Sequence, residues 1–160
     1  MLLAGCTGGG GGGDDPPGDA GATTATTAPV DRQTAEEVPL EVGQCGDVPG
    51  LRVGGPLDPA AIATVPCEQP HDVEVAAVLE HPAGPTLDFP GQEAVDAYAT
   101  DQCIVRFEDY VGTPYERSAL DVAFVAPDED GWNDGDRRIA CVVYHVDFSD
   151  LTGSVEGTGI

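Results

Sequence analysis

The sequence is poor in basic residues, and this scarcity excludes one large class of partners. Six basic residues face 29 acidic ones in a chain of 160, so the formal net charge is −23. The stretch 7–37 carries −5 of this charge, and the remaining −18 lies in residues 38–160. Because phosphates are bound through clustered lysine and arginine, we exclude nucleic acid as a partner. The acidity is typical of a protein that stays soluble in a salt-rich or divalent-rich exterior, the alternative being a dedicated basic partner or a store of cations.

Motifs that enzymes and metal sites depend on are also missing. The glycine run 8–13 is not followed by Gly-Lys-Ser/Thr, so it does not predict a phosphate-binding loop. Ser118 lacks the Gly-x-Ser-x-Gly setting of a hydrolase nucleophile. The spacings of common zinc sites, beginning with Cys-x-x-Cys, do not occur. We therefore predict a protein that is not an enzyme and that needs no metal or cofactor.

The first of the five cysteines marks an expected lipid anchor. Leu3-Ala4-Gly5-Cys6 resembles the lipobox of bacterial export signals, in which the cysteine is acylated and becomes the mature N-terminus. A signal peptide needs an apolar region of about 7–15 residues, and since only five residues precede Cys6, we expect translation to start upstream of Met1. Each buried CH₂ of the acyl chains contributes about 0.8 kcal/mol to membrane binding. The expected location is the extracytoplasmic face of the membrane.

The composition divides the chain into four parts. Residues 1–6 are interpreted as the end of a truncated signal peptide, and residues 7–37, rich in Gly, Thr, Pro and Asp, as a disordered tether. Residues 38–150 are predicted to form the folded domain. Residues 151–160 are predicted to be a frayed tail.

The four remaining cysteines predict two disulfides. Their even number suits an oxidising compartment, and three pairings are possible. We favour Cys45–Cys67 and Cys103–Cys141 because each pair joins neighbouring predicted elements. Loops of these lengths should each contribute about 3–4 kcal/mol in the chain-entropy model.

Hydrophobic periodicity predicts an α+β domain. Alternating patterns indicate strands over 39–45, 61–67, 72–80, 120–124 and 138–148. In the third, Val73, Val75, Ala77 and Leu79 are expected on one face. Apolar residues at every third or fourth position indicate a helix over 92–111, which ends at Gly112. The predicted fold is an antiparallel sheet of four or five strands with this long helix packed on one face and two disulfides.

An ordered series of motifs then suggests a family. These are 65–75 (Val-Pro-Cys-Glu-Gln-Pro-His-Asp-Val-Glu-Val), Phe89-Pro90-Gly91, Cys103 with Phe107 and Tyr110-Val111-Gly112, and Trp132 with Gly135-Asp136-Arg137 and Cys141. Over about 38–148 they resemble the septum-formation domain family of actinobacterial lipoproteins and membrane proteins. The resemblance implies an exported or membrane-tethered envelope domain linked to cell division, and it brings no catalytic residues.

Three polar or aromatic residues remain as candidates for a functional or structural role. His71 lies at the start of the third predicted strand beside carboxylates, where an imidazole could act as a base or a ligand. We favour a structural role, in which it bonds backbone carbonyls and holds the disulfide loop. Trp132 is interpreted as a cap on the core, the alternative being an exposed aromatic patch with Tyr115. Arg137 is expected to pair with an acid of the connection 127–136, which we interpret as a hairpin turning at Asp134-Gly135 and not as a calcium loop. Nothing in the spacing brings His71, His81 and His145 together.

The function predicted from these features is that of a non-enzymatic, lipid-anchored envelope domain. It would be an interaction or assembly module linked to septum formation, with envelope or division proteins as partners. The alternative is a surface lipoprotein that binds a divalent cation or a cell-wall fragment.

Overall fold

A computed structural model describes residues 39–51 and 55–160 of the chain. The predicted lipid anchor at Cys6 and the predicted tether 7–37 lie outside the described residues. Within the described ranges no helix is long and apolar enough to cross a membrane.

The domain is built on one antiparallel sheet of five strands. In chain order the strands are β1 (Cys45–Asp47), β2 (Ala63–Val65), β3 (Val73–Glu80), β4 (Leu120–Val125) and β5 (Arg138–His145), and their order in the sheet is β2-β1-β3-β5-β4. The long helix α1 (Gln92–Val111) packs on one face, and the short helix α2 (Glu129–Asn133) lies between β4 and β5. The predicted fold class is therefore confirmed.

Helix α1 forms where the periodicity predicts it. Its buried side chains recur every three or four residues and face the sheet: Val95, Ala99, Cys103, Phe107, Tyr110 and Val111. Gly112 ends the helix in the left-handed region at φ 88°, and its N–H donates to the carbonyl of Glu108. A residue with a side chain would be strained at position 112, because a Cβ atom disfavours the left-handed conformation.

Both predicted disulfides are present. Cys45–Cys67 joins β1 to the segment after β2, and Cys103–Cys141 joins α1 to β5. The second bond therefore links the helix to an interior strand of the sheet, as the inward positions of both cysteines predicted.

The sheet is buried on both faces, which corrects the prediction for β3. A bulge between Val75 and Ala77 shifts the register against β5. As a result Val73 and Val75 pack in the core on one face, whereas Ala77 and Leu79 pack under α1 on the other. The four residues do not share a face. The second core is covered by residues that precede β2, among them Leu40, Val48 and Leu51.

The bounds of the strands also differ from the prediction, and β2 is limited to Ala63–Val65. The first strand begins at Cys45, since a turn closed by Gln44 N–H to the carbonyl of Glu41 occupies part of the predicted 39–45. The last strand ends at His145, three residues early. The connection 127–136 contains α2, because the Asp128 side chain accepts from Gly131 N–H and caps a helical turn.

The C-terminal segment is bound to the domain, so the prediction of a frayed tail at 151–160 is wrong. Leu151 pairs with His71 in an antiparallel bridge, and Leu151 and Val155 are buried. The N–H groups of Gly157 and Gly159 donate to the carbonyls of Tyr110 and Val111. These carbonyls belong to the last turn of α1 and would otherwise lack partners.

Candidate functional site

The described surface contains a groove lined by prolines, which we call the proline groove. Its volume is about 830 Å³. Its walls come from the segments before β1 and β2, from the end of β4 and from the α2 region. The lining includes four prolines and five aliphatic residues: Pro39, Pro56, Pro59 and Pro127, with Leu40, Leu57, Val125, Ala126 and Ala140. The groove therefore offers a largely apolar floor.

Three aspartates give the proline groove its charge. Each uses its Oδ1 to accept a backbone N–H: Asp58 from Ala60 at 2.9 Å, Asp128 from Gly131 at 2.8 Å, and Asp136 from Arg138 at 2.8 Å. The three side chains are exposed. In the described part of the chain their Oδ2 atoms make no hydrogen bond. These oxygens are thus held in place and remain able to accept from a ligand.

The basic residue of this lining is Arg138. It is half-buried, and one of its terminal amino groups donates to the carbonyl of Leu40. Three carboxylates and one guanidinium leave the lining with a net charge of −2. The groove is suited to a ligand that is both apolar and positively charged.

Trp132 and Arg137 form a separate buried cluster. Trp132 is 1% exposed, and its indole N–H donates to the carbonyl of Leu87 at 2.8 Å. The Arg137 guanidinium carbon lies 3.7 Å from the centre of the indole ring. The alternative of an exposed patch with Tyr115 is wrong, since the Tyr115 hydroxyl instead donates to Asp121 at 2.5 Å. That bond raises the pKa of Tyr115 to about 12, with burial as the second cause.

Arg137 does not pair with an acid, which corrects the prediction. Its Nη1 donates to the carbonyls of Trp132 at 2.7 Å and Asp136 at 2.6 Å. Its Nη2 faces three further carbonyls, those of Gly84, Pro85 and Leu87, at 3.3–3.5 Å. Two loops meet at this point, and their backbone carbonyls accept the hydrogen bonds that the prediction assigned to an acidic side chain. The role of Arg137 is to join these loops.

His81 lies against the same cluster. Its ring is edge-on to Tyr98 and Trp132, with centroids 4.4 Å and 5.0 Å away. Its Nδ1 accepts from Ala83 N–H at 3.1 Å. Burial lowers the pKa of His81, and the positive charge of Arg137 lowers it further. His81 is therefore held in its neutral form.

His71 lies in a second buried polar cluster. It is 1% exposed, and its Nδ1 is 2.8 Å from the carbonyl oxygen of Gln69. This contact is the kind of carbonyl bond expected of a residue that holds the disulfide loop. Among the described residues, three side chains that could ligate a metal lie close together, namely Cys45, His71 and Glu74. This group contains neither His81 nor His145, so the three histidines do not form a joint site. His145 contacts Asp147 at 2.6 Å.

Glu74 is a structural residue that the sequence pattern did not reveal. It is fully buried and accepts from the Tyr110 hydroxyl at 2.6 Å, the Ser154 hydroxyl at 2.5 Å and Val155 N–H at 2.7 Å. Burial and the bond to Glu74 raise the pKa of Tyr110 well above its usual value. The polar position between Val73 and Val75 suggested a solvent-facing residue, because the pattern alone cannot show that the C-terminal segment covers it.

The candidate nucleophiles are engaged in structural contacts. Ser118 Oγ donates to the carbonyl of Ile160 and accepts from Leu120 N–H. The four described cysteines form the two disulfides.

The fold defines the class of protein as a small α+β domain with two disulfides. Residues 42–159 match the family model described as septum formation, so the chain belongs to the septum-formation domain family. The resemblance noted in the sequence is thereby confirmed. No curated protein and no solved structure matched the chain.

Proposed function

We propose that this protein is a non-enzymatic, lipid-anchored module of the cell envelope that docks a cationic segment of a partner protein in the proline groove during septum formation. The observation that carries the proposal is the apolar groove with three exposed, backbone-held aspartates. Family membership supports the link to septum formation. The lipobox-like segment ending at Cys6 and the two disulfides support an extracytoplasmic location.

The floor of the groove suits an extended peptide. Proline side chains lose no rotamer freedom when they are covered, so contacts with Pro39, Pro56 and Pro59 cost little conformational entropy. The apolar walls exclude water from the contact. The shape and the apolar area of the groove would therefore provide affinity, and its charged side chains would provide selectivity.

The three aspartates would select a basic partner. Their Oδ1 atoms fix the carboxylates in position, and their Oδ2 atoms can accept from lysine or arginine without rearrangement. The net charge of −18 on residues 38–160 would also steer a cationic segment toward the domain. Binding should therefore weaken as salt is added, since exposed charges are screened beyond about 8–10 Å at physiological ionic strength.

A photo-crosslinking experiment tests this proposal. A photoreactive residue is placed at Leu57, in the groove, or at Val105, which is 69% exposed on α1. In dividing cells we expect position 57, and not position 105, to crosslink to one envelope or division protein through a basic segment. Equal yields from the two positions would contradict the groove as the docking site.

Charge variants sharpen the test. Asp58→Asn with Asp128→Asn removes two charges from the groove but keeps both caps, because asparagine caps helical turns as well as aspartate does. Asp101→Asn with Asp109→Asn removes two exposed charges from α1 and serves as the control. We expect the crosslink at position 57 to fall several-fold in the first variant alone. An equal fall in both would show that only net charge matters.

A small ligand is the second candidate for the groove. Its volume of about 830 Å³ lies within the range of roughly 300–1,000 Å³ that is typical of small-molecule sites. Calorimetry with Ca²⁺ and with peptidoglycan fragments separates the candidates. Saturable heat at micromolar ligand that is lost in Asp58→Asn/Asp128→Asn would favour the small ligand, and its absence would favour a protein partner.

The lipid anchor is tested by the mass of the native N-terminal peptide, which should carry acyl chains on Cys6.

A further inference from the structure

The fold brings together ligating side chains that are widely spaced in the sequence. Cys45 lies in β1, Glu74 lies in β3, and His71 precedes β3. A ligand atom of each lies within 4.8 Å of the other two. All three residues are at most 1% exposed. Cys67 adds a second sulfur, and so a fourth ligating residue, because it is bonded to Cys45.

The hydrogen bonding of His71 leaves one ring nitrogen suited to a metal. A carbonyl oxygen only accepts, so the contact with Gln69 O requires Nδ1 to carry a proton. In the neutral ring Nε2 then bears the lone pair. Within the described residues Nε2 is shielded from solvent and has no hydrogen-bond partner. An Nδ1–H held by a backbone carbonyl and a free Nε2 is the arrangement that metal-ligating histidines commonly show.

Glu74 can contribute an oxygen without losing its present contacts. Its Oε1 accepts from the hydroxyls of Tyr110 and Ser154, whereas its Oε2 accepts only from Val155 N–H. A carboxylate has about four acceptor positions, so one on Oε2 remains. Three donors already orient the carboxylate, as supporting residues do in metal sites.

The Cys45–Cys67 disulfide prevents the two sulfurs of this cluster from binding a metal. A sulfur in a disulfide has no thiolate charge, and the thiolate is the form that binds metal. The Cys45–Cys67 bond is also the more accessible of the two. Cys67 is partly exposed, whereas Cys103 and Cys141 are each 1% exposed. An attacking thiolate can therefore reach Cys67 Sγ in the folded protein and release Cys45 as the leaving group.

We propose that reduction of Cys45–Cys67 opens a buried Zn²⁺ site formed by Cys45, Cys67, His71 Nε2 and Glu74. In the first step a dithiol reduces the disulfide: it gives up two electrons and two protons and becomes a disulfide itself, and Cys45 and Cys67 become thiols. In the second step Zn²⁺ binds the two sulfurs, the imidazole and the carboxylate, and the two thiol protons pass to solvent.

The spacing and the ligand types fit zinc. Bonds of about 2.0–2.3 Å in a tetrahedral site place ligand atoms roughly 3.3–3.8 Å apart. The ligand atoms of Cys45, His71 and Glu74 lie within 4.8 Å of one another, so they would have to approach by up to about 1.5 Å. Thiolate, imidazole and carboxylate are all zinc ligands. The metal would then tie the segment after β2 to β1 and β3, and so replace the covalent link by a coordinate one. The domain would have an oxidised state and a zinc-bound reduced state.

The test begins with selective reduction of the folded protein. A water-soluble phosphine is used, because it does not add thiols that compete for metal. Alkylation and peptide mapping should show free Cys45 and Cys67 while Cys103–Cys141 is intact. Zn²⁺ is then titrated in competition with a chromophoric chelator, and Co²⁺ is added in parallel for its thiolate charge-transfer absorbance. We expect one ion per chain with a Kd on the order of nanomolar or tighter, as in structural zinc sites.

Two matched variants identify the ligands. His71→Gln should weaken Zn²⁺ binding by at least about 100-fold, since even supporting residues of metal sites contribute about 10–100-fold. His145→Gln changes a histidine outside the cluster and should have no effect. The double variant Cys45→Ser/Cys67→Ser keeps His71 and Glu74 and should give no charge-transfer absorbance with Co²⁺.

Several outcomes would overturn the proposal. These are a reduced protein that does not bind Zn²⁺, an oxidised protein that binds it equally well, and an equal loss in the two histidine variants. If reduction unfolds the domain, Zn²⁺ should restore the near-ultraviolet circular dichroism, and failure to do so also counts against the site. Each readout is independent of the docking of a partner in the proline groove.

Discussion

Arg137 shows how a buried charge is accommodated without a carboxylate. It is 7% exposed and is surrounded by backbone carbonyls and the face of Trp132. A planar guanidinium can donate in several directions within its plane while its face stacks on an aromatic ring. An ammonium group cannot do both. The chemistry of this position is therefore specific to arginine rather than to positive charge.

Replacing Arg137 by lysine should consequently destabilise the domain despite the conserved charge. We expect Arg137→Lys to lower the free energy of unfolding by about 2–3 kcal/mol, because several charge-assisted bonds and the stacking are lost. Urea unfolding followed by Trp132 fluorescence measures this loss. Arg106→Lys, at an exposed position of α1, is the control and should stay within about 0.5 kcal/mol. Equal values for the two would show that Arg137 contributes only its charge.

His81 should make stability depend on pH below neutrality. Its pKa in the folded state lies below the ordinary value of 6.5 because of burial and Arg137. The unfolded chain thus binds a proton near pH 6.5 that the folded protein does not yet bind. The stabilisation by His81 is complete above pH 6.5 and is lost as pH falls toward the lowered folded pKa. Protonation of Nδ1 would also break the bond from Ala83 N–H.

A comparison of unfolding curves measures this effect. From pH 7.5 downward, the wild-type protein should lose stability more steeply than His81→Phe, which keeps the ring contacts with Tyr98 and Trp132 but cannot titrate. The exposed pair of His145 and Asp147 provides a control through His145→Phe, which should leave the steep component in place. Identical pH profiles for wild type and His81→Phe would contradict the assignment.

At the scale of elements, the C-terminal segment is held in place by one buried carboxylate. Glu74 in β3 receives bonds from Ser154 and Val155, and Gly157 and Gly159 bond the end of α1. Glu74 also accepts from Tyr110 of α1. This carboxylate therefore links a strand, the long helix and the segment that follows the sheet.

Glu74→Gln tests this link with little change in shape. Hydrogen bonds to charged groups contribute about 1.5–3 kcal/mol, and an amide retains only part of this acceptor capacity. We expect a loss of about 2–3 kcal/mol in the free energy of unfolding and faster amide exchange at Val155 and Gly157. Glu80→Gln, at the exposed end of β3, serves as the control. Unchanged protection at Val155 would contradict the role of Glu74.

Across the whole molecule, the features that the sequence predicted depend on local patterns. The bounds of α1 follow from apolar side chains three and four residues apart and from Gly112, all of which can be read in one segment. The pairing of Cys103 with Cys141 followed from two inward positions on neighbouring elements. Such features need no knowledge of how distant segments meet.

The features that were missed depend on contacts between distant segments. Leu151 was expected to fray because its local sequence carries no periodicity, yet its backbone pairs with His71, eighty residues earlier. Arg137 was assigned an acidic partner because acids surround it in the sequence, whereas the carbonyls of Gly84 and Pro85 approach it in space. The proline groove likewise combines segments that are far apart in the sequence, and none of them carries a binding motif of its own.

The charge of the whole domain should also limit its stability. Residues 38–160 carry a net charge of −18. Among the described residues, one pair of oppositely charged side-chain types lies in contact, His145 with Asp147. Like charges at this density repel one another in the compact state more than in the unfolded chain. We therefore expect Tm to rise as NaCl increases from about 0.01 M to 0.3 M, over which the screening length shortens from about 30 Å to less than 8 Å.

The two ends of α1 allow the local part of this repulsion to be separated. Glu108 and Asp109 lie near the helix C-terminus, whose last turn has no basic residue, whereas Glu93 lies in the first turn. Glu108→Gln should raise stability by about 0.3–1 kcal/mol and reduce the response to salt, because a negative charge opposes the helix dipole there. Glu93→Gln removes the same charge from the favourable end and should not stabilise. If both variants raised Tm equally, net charge rather than the position of the charge would account for the effect. A Tm that did not respond to salt would contradict both the predicted repulsion and its local part at the helix end.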